Sequence, residues 1–137
     1  MKCLIAEDDL VARKVLETIL SEVSECHTTV DGRRAVAAFK TALDQGEPYD
    51  FLCLDIMMPE MDGHQVLMAI RKLEEAAGID ELACVKVIMI TSMSDPNTVL
   101  GAFRAGCEGY IVKPVDRSKL FEEMDKTGIV CEHSLVL

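Results

Sequence analysis

The sequence predicts an open, doubly wound α/β domain: five parallel strands with helices on both faces of the sheet. Three observations predict it. Short apolar runs alternate along the chain with longer stretches whose apolar residues recur at helical spacing. The runs end abruptly at polar residues, Glu7, Asp55, Thr91 and Lys113 among them. Turn-forming Gly, Pro and Asp residues separate the segments. Alternating strands and helices imply parallel strands joined by right-handed crossovers.

Residues 2–6 form the first strand, which ends in Glu7, Asp8 and Asp9. Val11, Val15, Leu16, Ile19, Leu20 and Val23 then mark a helix, and a short strand follows near Cys26–Thr29. Asp31 is suited to cap a second helix carrying Ala35, Val36, Ala38, Phe39 and Leu43, which ends near Gly46-Glu47-Pro48. Phe51–Leu54 is the third strand and stops at Asp55. Past the breakers Pro59 and Asp62-Gly63, a third helix runs to about Ala77, with Gly78 as its C-cap. Val85–Ile90 is the fourth strand and ends at Thr91-Ser92. Asp95-Pro96 opens the fourth helix, which stops at Gly106. Gly109–Val112 is the fifth strand, ending at Lys113-Pro114, and Asp116 caps the last helix.

The chain of 137 residues suits one domain. Half of it is apolar, with no Trp and few other aromatics, so the core is aliphatic and Met-rich. A net charge of −10 disfavours direct nucleic-acid binding, which needs clustered Lys and Arg. It suits a partner that is a cation or a basic surface. No apolar run approaches the roughly 18 residues of a membrane span, and the acidic residues after Ala6 interrupt any signal-peptide core. A cytoplasmic protein is expected. Cys3, Cys26, Cys53, Cys84, Cys107 and Cys131 lack paired C-x-x-C spacing, which reads as small buried hydrophobes rather than a zinc site.

Five strands fit the flavodoxin-like order 2-1-3-4-5. In that order strands one and three flank the switch point, so Glu7, Asp8, Asp9 and Asp55 converge, with Thr91 and Lys113 at the same edge. Such a carboxylate cluster repels itself unless a hard divalent cation joins it. One carboxylate can also attack a phosphoryl donor, a transfer that depends mostly on positioning and charge neutralisation.

Glu7-Asp8-Asp9, Asp55 with Met58-Pro59-Glu60-Met61-Asp62-Gly63, Thr91-Ser92 and Tyr110-Ile111-Val112-Lys113-Pro114, in this order and spacing, resemble the response regulator receiver domain of two-component signalling. The resemblance covers about residues 2–125. It implies that Asp55 is the phospho-acceptor and that Asp8, Asp9, Asp55 and the backbone carbonyl of Met57 hold Mg²⁺ or Mn²⁺. It further implies that Thr91 and Lys113 hold the phosphoryl oxygens and that Lys113-Pro114 is a cis peptide. Thr91 and Tyr110 become the switch, biasing a surface of the fourth helix, fifth strand and fifth helix. The donor is a histidine kinase or a His-phosphotransfer protein, and the output is a downstream protein target. On this reading the domain is a stand-alone receiver over residues 1–126. It is a signalling phospho-acceptor that catalyses only its own phosphorylation and dephosphorylation, with a homodimer compatible and neither nucleic acid nor membrane as partner.

Met57 and Met93 sit two residues past key site residues, where receivers often carry polar groups, so an altered self-dephosphorylation rate is expected. The short apolar tail of residues 127–137 is expected to pack back on the domain or to dock a partner. His27, His64 and His133 share no spacing and are assigned no chemistry. Two rival readings fare worse. A haloacid-dehalogenase-type phosphohydrolase wants an acid two residues after its nucleophile, where Met57 stands. A flavin-binding protein would set its phosphate against three carboxylates.

Overall fold

Parallel pairing builds one sheet from β1 (Lys2–Ala6), β2 (Glu25–Thr29), β3 (Phe51–Asp55), β4 (Lys86–Thr91) and β5 (Gly109–Val112), in the order β2-β1-β3-β4-β5. The structure is a computed structural model and describes residues 1–129. The crossovers carry α1 (Leu10–Leu20), α2 (Gly32–Asp44), α3 (Gly63–Ala76), α4 (Pro96–Arg104) and α5 (Arg117–Thr127), with a 3₁₀ turn at Glu81–Ala83. The expected fold class and strand order both hold.

Side chains alternate across a strand, and helices cover both faces of the sheet. The central strands are therefore apolar at nearly every position rather than at every second one. Leu4, Ala6, Leu52, Leu54, Val87 and Met89 form one core with Ala35 and Phe39 of α2 and Val66, Leu67 and Ile70 of α3. Cys3, Ile5, Phe51, Cys53, Ile88, Ile90 and Ile111 form the other with Leu16 and Leu20 of α1 and Leu120, Phe121 and Met124 of α5.

Each α-helix opens on an Asp whose carboxylate accepts an amide proton from the first turn: Asp9 from Ala12, Asp31 from Arg34, Asp62 from Gln65, Asp95 from Thr98 and Asp116 from Lys119. A cap of this kind stabilises a helix by about 1 kcal/mol. Much of the acidic excess therefore fixes where helices begin, along the edge where the strands end. α1 stops at Leu20, so Val23 lies past it; α3 is capped at Ala77, and Gly78 takes the left-handed conformation just beyond (φ 71°).

The opposite edge is held by one arginine. Arg71 on α3 donates to Glu74 Oε1 (2.7 Å), the Val85 carbonyl (2.9 Å), the Gly106 carbonyl (2.7 Å) and Glu108 (3.0 Å). Glu74 and Glu108 in turn accept the amides of Val85 (2.7 Å) and Val87 (2.6 Å). This network ties α3 to the start of β4 and to the loop before β5. At the C-terminal end of the chain, α5 reaches Thr127 and Ile129 is buried in the second core; residues 130–137 of the expected tail lie outside the described residues.

Candidate functional site

The switch point lies where β1 and β3 part company with their crossovers in opposite directions, and it is acidic. Glu7 follows β1 and is fully buried; Asp55 ends β3 and is 4% exposed. Lys113, one residue past β5, donates from Nζ to Glu7 Oε1 (2.7 Å) and to Asp55 Oδ2 (3.3 Å). Its own amide is anchored on the Thr91 carbonyl at 2.8 Å, and the Lys113–Pro114 peptide is cis, as the resemblance implies. Burial opposes the Lys113 ammonium, yet the hydrogen bond to Glu7 and the charge of Asp55 hold its pKa above the ordinary lysine value.

Asp55 Oδ1 accepts the Met57 amide (3.1 Å), which fixes the carboxylate over the loop that follows. That loop contains Glu60 in the left-handed region (φ 65°) and closes with the Gly63 amide on the Ile56 carbonyl (2.9 Å). Gly63 is needed there for space. A Cβ at this position would lie 2.6 Å from the Asp55 carbonyl oxygen and 2.9 Å from Ile56 Cα.

Glu7, Asp8 and Asp55 each bring a carboxylate oxygen within 4.8 Å of the others. Burial, then the neighbouring Asp55 carboxylate, raises Glu7 to about 8 against the pull of Lys113. Glu7 Oε2 is buried and has no hydrogen-bond partner. A buried, unpartnered carboxylate oxygen is costly unless something else binds it. An all-oxygen donor set with Asp8 open to solvent suits a hard divalent cation, so these residues fit Mg²⁺ or Mn²⁺.

Asp9, expected among the ligands, lies apart from this group. Its carboxylate accepts the Ala12 amide (2.8 Å) as the N-cap of α1, and it lies outside the acidic group. Glu7 stands in the group instead. The signal was present in the sequence, because Asp9 immediately precedes the first apolar helical residue, the usual place of a cap. The close approach at Gly63 had no such signal, since it depends on how the start of α3 lies against the end of β3.

Thr91 is fully buried at the end of β4, and its Oγ1 accepts weakly from the Met93 amide (3.4 Å). Tyr110 on β5 is half-buried and donates from its hydroxyl to the Met93 carbonyl (2.7 Å), with its ring 6.5 Å from that of Phe103 on α4. Ser92 and Pro114 are exposed and Met57 is 60% exposed. Beside Lys113, an apolar cavity of about 450 Å³ opens between α1 and the β5–α5 loop, lined by Val11, Val15, Ile90, Pro114 and Val115 among others.

A doubly wound sheet with paired carboxylates and a lysine at its switch point is the architecture of CheY-like receivers. Residues 3–125 match the family described as "Response regulator receiver domain". The chemotaxis protein CheY of Listeria monocytogenes is 30% identical over 93% of this chain and 98% of its own length. The probable transcriptional regulator ycf27 of Cyanophora paradoxa is 31% identical over 87% of this chain, which spans only 44% of that longer relative. The solved CheX-CheY-BeF3-Mg+2 complex from Borrelia burgdorferi superposes with a TM-score of 0.74 at 27% identity, over 91% of this chain and 87% of that one. The chain belongs to the response regulator receiver domain family, the phospho-acceptors of two-component signalling. Among the described residues, no helix is long and apolar enough to cross a membrane.

Proposed function

We propose that Asp55 accepts a phosphoryl group from a phosphohistidine on a histidine kinase or His-phosphotransfer protein, in a cation-dependent step. One observation carries this reading: the Asp55 carboxylate lies 3.3 Å from the Lys113 ammonium and beside a buried, unpartnered oxygen of Glu7. A carboxylate oxygen of Asp55 attacks phosphorus, the bond from phosphorus to the donor imidazole nitrogen breaks, and that nitrogen leaves with the electron pair. Bound Mg²⁺ would neutralise charge on the phosphoryl oxygens. Asp8, Asp55 and the Met57 carbonyl would hold it, with Glu7 rather than Asp9 completing the acidic set. Lys113, already turned toward Asp55, supplies a compact positive charge to the incoming group, and the Thr91 hydroxyl supplies a donor.

The donor docks on α1. Leu10, Val11 and Val15 are exposed there, at 57%, 71% and 38%, around the apolar cavity beside Lys113. Output leaves by the face of α4, β5 and α5, where Leu100, Phe103 and Val112 are exposed and await a protein target. Met93 links the two. Its amide reaches Thr91 Oγ1 and its carbonyl holds the Tyr110 hydroxyl. Drawing Thr91 toward a phosphoryl group releases the first contact and re-poses the second, which biases the face carrying Tyr110. The cytoplasm, where such a donor presents its phosphohistidine, is the proposed location.

Incubation with acetyl phosphate and Mg²⁺, followed by intact mass, tests the reading. One phosphoryl is expected on the parent and none on Asp55→Asn or after chelation. A label that persists on Asp55→Asn would refute it.

A further inference from the structure

β1 and β2 pair in parallel with Cys3 directly opposite Cys26. Neighbouring strands lie about 4.8 Å apart, inside the roughly 4.4–6.8 Å that a disulfide requires between Cα atoms. Register partners also project to the same side of the sheet, and here the two sulfurs stand 3.4 Å apart. Around them, the Ser24 hydroxyl lies 3.3 Å from Cys3 Sγ and 3.5 Å from Cys26 Sγ, and the Ser21 hydroxyl donates to Cys26 Sγ at 3.8 Å. The two thiols differ in access: Cys3 is fully buried, whereas Cys26 is half-buried on the edge strand. Neither takes part in the phosphoryl chemistry.

We propose that Cys3 and Cys26 are a two-electron redox pair, oxidised by hydrogen peroxide to an intramolecular disulfide. Cys26, the accessible partner, meets the oxidant. Its sulfur attacks one peroxide oxygen, the O–O bond breaks, and the departing hydroxide takes a proton to become water, leaving a sulfenic acid. The Cys3 sulfur then attacks the Cys26 sulfur. The S–O bond breaks, and hydroxide leaves with the Cys3 proton as a second water. Two thiols are oxidised and one peroxide is reduced to two waters.

The local environment divides these roles. The hydrogen bond from Cys3 comes first, and the Ser24 and Ser21 donors add to it; against burial they bring Cys26 down to about 6. The same contact with Cys26, followed by burial, drives Cys3 upward, so Cys3 stays a thiol until it resolves the sulfenic acid. Cys53 is entirely buried in the next strand and has no route to the oxidant. The bond would fasten edge strand β2 to β1 and close the loop that contains α1.

The full chain, reduced and still folded, is treated with a stoichiometric amount of hydrogen peroxide, quenched in acid, alkylated and mapped without reduction. The expected result is a loss of about 2 Da and a peptide joining residues 3 and 26 that dithiothreitol separates. Cys26→Ser, a near-isosteric change at a half-exposed position, should abolish that peptide, while Cys84→Ser should leave it intact. Oxygen additions without a cross-link, or a cross-link that instead uses Cys84 or Cys131, would overturn the proposal. Mapping the parent alone separates these outcomes even if a variant folds poorly.

Discussion

Gly63→Ala puts a methyl group where the start of α3 meets the end of β3. Its Cβ would lie 2.6 Å from the Asp55 carbonyl oxygen and 2.9 Å from Ile56 Cα. Unstrained non-bonded contacts to carbon sit near 3.5 Å, so one element must move by about 0.5–1 Å. Both obstructing atoms are backbone, and no side chain can turn aside. Overpacking of this kind costs about 1–3 kcal/mol, offset by up to about 1 kcal/mol from replacing a helical glycine. The larger effect falls on the chemistry. The displaced backbone carries Asp55, and a misplacement on the order of 1 Å costs roughly 100-fold in rate. Phosphoryl uptake from acetyl phosphate should fall by about 10- to 100-fold, while urea unfolding shows a net loss of about 0–3 kcal/mol. Gly101→Ala is the matched control. It lies within α4 with nothing inside 4 Å of the added carbon, so it should stabilise by about 0.5–1 kcal/mol and leave uptake unchanged. If Gly63→Ala behaves like Gly101→Ala in both assays, the close approach does not control the site.

Arg71→Ala removes the donor that neutralises Glu74, whose side chain is 3% exposed, and should cost about 3 kcal/mol in urea unfolding. Because the network is at the far edge of the sheet, phosphoryl uptake by the folded variant should match the parent. Calorimetric Mg²⁺ titration should separate two neighbouring acids: Asp8→Asn should lose binding. Asp9→Ala should keep it, while losing about 1 kcal/mol of stability with the α1 cap; equal loss of binding in both would restore Asp9 as a ligand. Met57→Asn exchanges a 60% exposed apolar side chain for a polar one beside Asp55, so the phosphorylated protein should lose phosphate at a changed rate. An unchanged rate would mean Met57 has no influence on the attacking water.

The fold was legible because its signals are local and repeated. Phe51–Asp55 and Val87–Thr91 are too short and too continuously apolar for anything but strands buried on both faces, and Asp31, Asp95 and Asp116 announce the starts of their helices. Once the strand order is fixed, Asp55 and Lys113 must meet. Among the three consecutive carboxylates the resemblance put Asp8 and Asp9 forward, although the place of Asp9 just before Leu10 marks a cap; which acid turns inward depends on where the strand stops and the helix begins. Glu7 still continues the line of β1, with its amide on the Thr29 carbonyl (3.1 Å), and so projects among the sheet ends. Asp9 already belongs to α1. The Arg71 network was invisible for a different reason. Its partners Glu74, Val85, Gly106 and Glu108 come from separate elements, and no spacing along the chain marks a side chain that bridges them.

Two sets of buried acids occupy opposite edges of this sheet, and their hydrogen bonding separates structure from function. At the edge where the strands begin, Glu74 uses one oxygen on Arg71 and the other on the Val85 amide, and Glu108 spans Arg71 and Val87. Every buried oxygen there is satisfied, so neutralising any member can only subtract stability. At the edge where the strands end, Lys113 serves both Glu7 and Asp55, and one Glu7 oxygen has no hydrogen-bond partner. Packing alone does not explain that arrangement, since replacing a whole buried ion pair with well-packed apolar side chains often leaves a fold as stable or more so. Retaining the strained acid makes physical sense under the proposed function, in which a cation would bind beside that oxygen. Under the proposed switch the Arg71 clamp would have a second consequence: by tying α3 to the start of β4 and to the approach to β5, it would confine any movement of Thr91 and Tyr110 to the opposite end.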